Sequence, residues 1–216
     1  MTVAKWARRL NFCARQRWPE AATLPPLILI TDRHRQGDPA AAALRLPRGA
    51  AVLLRDYDHP ERTAVALRLA RLCRRRGLLL LIAGDRRVAA HFGATGLHLS
   101  ESAIRRSRNT GLRANTLLTA AAHGETALWR AARRGADAAL LSPVFPTASH
   151  PGGRALGPWR FARLVRAAKL PVYALGGIDQ RTVRRLAASG ACGIAAIGAL
   201  SPDFSELGAA AIRRTP

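Results

Sequence analysis

The chain of 216 residues has little cysteine, little acid, few aromatics and only two lysines, Lys5 and Lys169, and each shortage narrows its class. Cys13, Cys73 and Cys192 are odd in number, lie far apart and match no C-x-x-C spacing, which argues against a disulfide framework or a structural zinc. A reducing cytoplasm is the compartment that fits. Long apolar runs are missing too: the longest convincing one, Leu78 to Ala83, is far below the roughly 18 residues that cross a bilayer. The first 22 residues are basic but hold no apolar stretch of about 7 to 15 residues, so they read as an extra helix or arm and not as a secretory signal. In that helix Trp6, Leu10 and Cys13 could share a face.

Only 13 acids face 35 basic residues, a net charge of +22 that is nearly all arginine. Such a balance raises nucleic acid or an anionic membrane as partners. Yet the arginines recur wherever a helix would meet solvent, and no aromatic-rich RNA motif, basic heptad or zinc finger accompanies them. Arg74 to Arg76 precede Gly77, and Arg133 and Arg134 precede Gly135: cations in a last helical turn before a capping glycine, where the helix dipole favours them. The charge is therefore expected on solvated helix faces, with neither nucleic acid nor membrane as partner.

What is present is alternation. From Pro25 onward short apolar runs alternate with amphipathic stretches, as in a parallel sheet wrapped by helices. The strand candidates are Leu27 to Thr31, Ala51 to Arg55, Leu78 to Ala83, Gly96 to Leu99, Thr116 to Ala120, Ala138 to Leu141, Pro171 to Ala174 and Gly193 to Ile197. Most are apolar throughout, as strands covered on both sides should be. Glu61 to Arg76 sets Val65, Leu69, Leu72 and Cys73 on one stripe; Thr126 to Arg134, Trp159 to Ala168 and Asp179 to Ser189 also read as helices. The expected fold is α/β, a single compact (β/α)8 TIM barrel over residues 25–216 with a short helical extension over residues 1–24; an open doubly wound sheet is the competitor.

In a barrel, chemistry gathers after the strands. There stand Thr31-Asp32-Arg33, Arg55-Asp56-Tyr57, Gly84-Asp85-Arg86, His98 to Glu101, His123, Ser142 to Thr147, Gly176-Gly177 and Gly198. Glycines after strands seven and eight suit phosphate, because backbone N–H groups can approach its oxygens; the plainer reading is a turn that needs positive φ. Ser142 to Gly157 forms a long loop with Thr147, Ser149 and His150, of a length that is usually functional. A metal site from His98, His123 and His150 lacks close ligand spacing.

These residues resemble the thiamine phosphate synthase and thiazole tautomerase superfamily. The resemblance spans roughly Leu27 to Ser201 and rests on ITDR, the arginine of LLRDY, AGDR, GATGLHLS, AAAH with RRGAD, SPVFPTASH, LPVYALGGI and GACGIAAIGAL. It implies a transferase of thiamine biosynthesis that joins hydroxymethylpyrimidine diphosphate to thiazole phosphate and releases pyrophosphate. It also implies Mg2+, small phosphate and diphosphate substrates, and a possible homodimer. Carried over position by position, the pyrophosphate-binding arginine is Arg55 and the first magnesium aspartate Asp85. The loop hydroxyls are Thr147 and Ser149, and the thiazole phosphate falls to Gly176, Gly177, Ile197 and Gly198.

Departures are equally specific. The lysine two residues after that arginine is Tyr57, the asparagine before the first aspartate is Gly84, and the loop lysine is His150. The second magnesium aspartate falls on Ala103, leaving Glu101 as the nearest carboxylate, and the serine two before His123 is Ala121. Arg33, Arg86 and Arg154 are the candidate replacement cations, although arginine and lysine are not interchangeable at a fixed position. His123 aligns with the acid/base histidine of the tautomerases, whose reaction needs a phosphate site and no diphosphate clamp. A tautomerase and a phosphate-binding barrel without catalysis are thus the alternatives.

Overall fold

The structure is a computed structural model that describes residues 1–84, 86–106, 116–147 and 154–197. Eight short parallel strands close on themselves in chain order: β1 Leu27–Ile30, β2 Ala51–Leu54, β3 Leu79–Ala83, β4 Gly96–Leu99, β5 Leu117–Ala122, β6 Ala138–Leu141, β7 Val172–Leu175 and β8 Gly193–Ala196. The closing pair sets Leu27 beside Ile194 and Leu29 beside Ala196. The open-sheet alternative is thereby excluded.

Alternation within each strand explains why the runs look uniformly apolar. Ile28, Ile30, Leu53, Leu81, Leu140 and Tyr173 fill the barrel interior. Their neighbours Leu29, Leu54, Leu80, Ile82, Leu141 and Val172 pack outward under the helices. Both sets are buried, so neither face has reason to be polar. Tyr173 is large enough to fill the interior and still satisfies its hydroxyl, which donates to the Pro25 carbonyl at 2.8 Å. Gly193 makes room for it: a Cβ there would lie 2.5 Å from the Pro26 oxygen and 2.7 Å from the Tyr173 ring.

Helices α1 Val3–Ala14, α2 Arg33–Gln36, α3 Pro39–Leu44, α4 Arg62–Arg76, α5 Arg86–His91, α6 Glu101–Arg106, α7 Glu125–Arg133 and α8 Gly157–Ala167 surround the sheet. The expected apolar stripe of α4 is buried, and Gly77, left-handed at φ 64°, ends the helix with its N–H on the Cys73 carbonyl. No helix among the described residues is long and apolar enough to cross a membrane.

Two expected elements differ. The buried stripe of α1 is Val3, Ala7, Leu10, Asn11 and Ala14, while Cys13 is exposed. Polar Asn11 belongs inside because its amide nitrogen donates to the carbonyls of Ala21 (2.8 Å) and Cys192 (3.1 Å), pinning the helix to the barrel. Between β7 and β8 the expected helix from Asp179 to Ser189 shrinks to a 3-10 turn, Thr182–Leu186. Asp179 draws the backbone N–H groups of Arg181 and Thr182 to one carboxylate oxygen, both at 2.7 Å. Ala187 then closes on Arg184 with an i to i+3 bond.

Candidate active site

The C-terminal rim of the barrel brings together residues that lie far apart in sequence. After β1 and β2, the Arg55 guanidinium lies 3.4 Å from the Asp32 carboxylate. The Arg55 backbone N–H donates to the buried Thr31 hydroxyl at 3.0 Å, which fixes the start of its loop. Asp32 also accepts from the His34 N–H as the N-cap of α2. Its neighbour Asp56 accepts from the Arg33 N–H at 3.0 Å, so the two loops are cross-tied. Arg62 extends the tie to β3, donating to the carbonyls of Asp56 (3.0 Å) and Ala83 (2.6 Å).

Tyr57 stands half exposed on this rim, against the Arg62 guanidinium and close to Gly84. Burial raises its pKa, opposed by the charges of Arg62 and Arg55, so the phenol is neutral at physiological pH and offers a hydroxyl to the rim. Arg33, one of the three candidate replacement cations, turns its Nε to His34.

Beneath the rim His98 is buried in the barrel, with Nδ1 2.9 Å from the Thr119 hydroxyl. Burial, and then the charge of Arg55, push its pKa down to about 4. It is a neutral imidazole below Arg55, a placement that the GLHLS segment did not reveal beyond a polar residue on an apolar strand. His123 lies apart from it on the surface, its Nδ1 2.9 Å from the Ser142 carbonyl. A carbonyl only accepts, so Nδ1 carries a proton. The two histidines have different partners, and no group of three or more possible metal ligands occurs among the described residues. His150, the third histidine of the candidate metal set, lies outside the described residues.

Opposite, the loops after β6 and β7 are joined through their backbones. Val144 N–H donates to Leu175 O and Phe145 N–H to Gly176 O, and the far end of the long loop returns with Leu156 N–H on Pro143 O. Gly176 and Gly177 have φ of 98° and 62°. A Cβ at Gly177 would lie 2.3 Å from the Pro146 oxygen, and one at Gly176 would lie 2.9 Å from Pro143. Both glycines are thus required by turn geometry and by close approach of the β6 loop. Thr182 braces the same turn from below, with its hydroxyl 3.0 Å from the Gly177 carbonyl. Burial would raise the pKa of Asp179, but the hydrogen bonds from Thr182 and Arg181 outweigh it and lower the value, keeping this capping carboxylate ionised.

Thr147 lies six residues past the end of β6, within the long loop, and Ile197 directly follows β8. Glu101 begins α6, where the Ser100 hydroxyl accepts from the Ala103 N–H at 3.2 Å. Ser149, His150, Gly198 and Asp85 lie outside the described residues. The described carboxylates alone do not make up a magnesium site. Thr31, Asp32 and Asp56 stand in the polar runs after β1 and β2, where the sequence assigns them no role, and Arg62 reads from sequence only as part of the helix from Glu61 to Arg76, although all four carry the rim geometry.

Residues 27–200 match the thiamine monophosphate synthase family. The chain is 35% identical over 190 residues to a Geobacter sulfurreducens protein provisionally named a thiamine-phosphate synthase, over 82% of this chain and 87% of the other. It is 35% identical over 167 residues to a thiamine-phosphate synthase of Thiobacillus denitrificans, over 74% and 79% of the two chains. A solved thiamine phosphate pyrophosphorylase from Pyrococcus furiosus superposes with a TM-score of 0.68 at 25% identity, covering 86% of this chain and 92% of that one.

Proposed function

Because the chain belongs to the thiamine monophosphate synthase family, we propose that it joins hydroxymethylpyrimidine diphosphate to thiazole phosphate, forming thiamine phosphate and pyrophosphate. The observation that carries this reading is the Arg55–Asp32 pair set on the rim above the buried, neutral His98. A guanidinium held by one carboxylate keeps other N–H groups for a diphosphate, and a charge-assisted contact of that kind is stronger than a neutral one.

In this reading the bond from the pyrimidine methylene carbon to the diphosphate oxygen breaks, and the electron pair leaves with pyrophosphate. The thiazole nitrogen then donates its pair to the methylene carbon. Arg55 stabilises the charge that grows on the leaving group. Tyr57, Thr147 and Ser149 donate hydroxyl hydrogen bonds, and His150 adds an imidazole from the loop. Gly176, Gly177, Ile197 and Gly198 hold the thiazole phosphate. Asp85 and Glu101 would hold Mg2+, which when bound neutralises diphosphate charge.

The test is thiamine phosphate formation from both substrates, with and without Mg2+, beside Asp85→Ala. Magnesium-dependent turnover that the substitution abolishes supports the synthase; no turnover with either preparation sinks it. A second reading rests on His123, whose exposed ring just past β5 would relay a proton as a thiazole tautomerase does. That activity would survive chelation by EDTA and vanish in His123→Ala.

A further inference from the structure

The outer wall between α6 and α7 carries a groove of about 420 Å3 lined by Arg105, Trp129, Arg130, Arg133 and Arg134. Among the described residues, four guanidinium groups line it and no carboxylate does. The helix dipole accounts for arginines in the last turns of α6 and α7. It does not account for Trp129. The indole is 54% exposed, whereas its neighbour Leu128 is buried in the core. Leaving so large an apolar ring in water forgoes the burial that most tryptophans obtain.

Helical spacing makes the arrangement regular. Trp129 and Arg133 stand four residues apart on one ridge, Arg130 and Arg134 on the next. The Arg133 guanidinium carbon lies 5.0 Å from the Trp129 ring centroid, a cation–π contact that holds a charge beside the indole. Arg134 reaches across to the Arg105 carbonyl at 3.4 Å, so the two helix ends are tied and the groove has a fixed floor. Both helices run back from the rim, and Arg105, one turn past Glu101 on α6, meets the last turn of α7 on the outer wall. None of the residues lining the groove is a candidate residue of the active site.

We propose that this groove binds single-stranded nucleic acid, with an unpaired base stacked on Trp129 and the flanking phosphates on Arg105, Arg130, Arg133 and Arg134. An acidic peptide would satisfy the guanidinium groups but has no π-face to use the indole. A duplex keeps its bases stacked on one another and away from it. A free nucleotide gathers its charge on one chain of phosphates beside a single base, whereas a strand spreads one phosphate per base along the four arginines. These arginines stand on solvent-facing helix ends, as arginine in this sequence is expected to, and the proposal gives four of them a ligand.

The experiment is fluorescence anisotropy of a labelled oligouridylate of about 12 nucleotides, titrated with the full chain over a range of salt. Trp129→Ala should weaken binding about tenfold, and Trp129→Phe should retain most of it. The double substitution Arg130→Ser with Arg133→Ser should flatten the slope of log affinity against log salt by about 1.4, or about 0.7 per lost phosphate contact. Arg74→Ser with Arg75→Ser on α4 removes the same charge from another exposed helix end and should change affinity less than twofold. Equal loss in the α4 variant would show that net charge alone is responsible and overturn the proposal. So would an unaffected Trp129→Ala, or equal competition by polyglutamate, free uridine nucleotide or an RNA duplex of the same length.

Discussion

On the β6–β7 side of the barrel mouth the chain is held by its own backbone, whereas on the β1–β3 side it is held by charged side chains. The first side consists of carbonyl-to-amide bonds between loops and two glycines that admit no Cβ. The second consists of Arg55 on Asp32, Arg33 on Asp56 and Arg62 across to β3. Backbone contacts survive most substitutions because they need no particular side chain. Side-chain contacts do not. Tyr57 and Gly84, two of the departures from the synthase pattern, fall on the side-chain half, while SPVFPT and GGI are kept on the other.

The sharpest way to break this contrast is Gly177→Ala. The added methyl meets a carbonyl oxygen at 2.3 Å on a residue with φ of 62°, so strain and clash act together. We expect a loss of about 3 kcal/mol or more in unfolding free energy and no measurable binding of thiazole phosphate. Gly124→Ala is the matched control: its backbone is extended at φ −178° and nothing lies within 4 Å of the new methyl. Urea melts should separate the two clearly; equal stability would show that the β6–β7 turn yields easily.

Arg55→Ala tests the other half. The backbone N–H on Thr31 remains, so the fold should keep its melting temperature, while kcat/KM for the diphosphate substrate falls about 100-fold, roughly 3 kcal/mol. Activity unchanged in steady-state assays would remove Arg55 from the site. A stability loss in place of an activity loss would make it structural.

How much of this was legible in the sequence follows the same division. Strand positions could be read because burial on both faces leaves continuous apolar runs at regular spacing; closure could not, because an open doubly wound sheet shows the same alternation. The glycine pair could be read because few residues tolerate positive φ. The turn after β7 was misjudged because the Asp179 carboxylate, not apolar periodicity, decides its geometry. The Arg55–Asp32 pair was invisible because nothing local ties residues 23 apart; only the parallel register of β1 and β2 sets them side by side. The burial of His98 was hidden for the same reason, since Thr119 reaches it from the next strand.

His98 sharpens the comparison from beneath. Its unfolded pKa is near 6.5 and its folded value about 4, so the folded state binds its proton later than the unfolded chain does. The stability this provides is complete above pH 6.5 and is lost as pH falls toward 4. Between pH 7.5 and pH 5 the loss attributable to this group is about 2 kcal/mol. His98→Asn should flatten that part of the profile in urea melts; an unchanged slope would mean that the imidazole is not held neutral.

The smallest expected effect is the most discriminating. Asp32→Asn keeps an acceptor for the His34 N–H and so preserves the cap of α2, but it removes the charge that holds the Arg55 guanidinium. If the β1–β3 side depends on charge for its geometry, KM for the diphosphate should rise about fivefold, roughly 1 kcal/mol, with kcat and melting temperature little changed. A lower KM would show instead that Asp32 competes with the diphosphate for Arg55, and that the rim is arranged to restrain its own cation until substrate displaces the carboxylate.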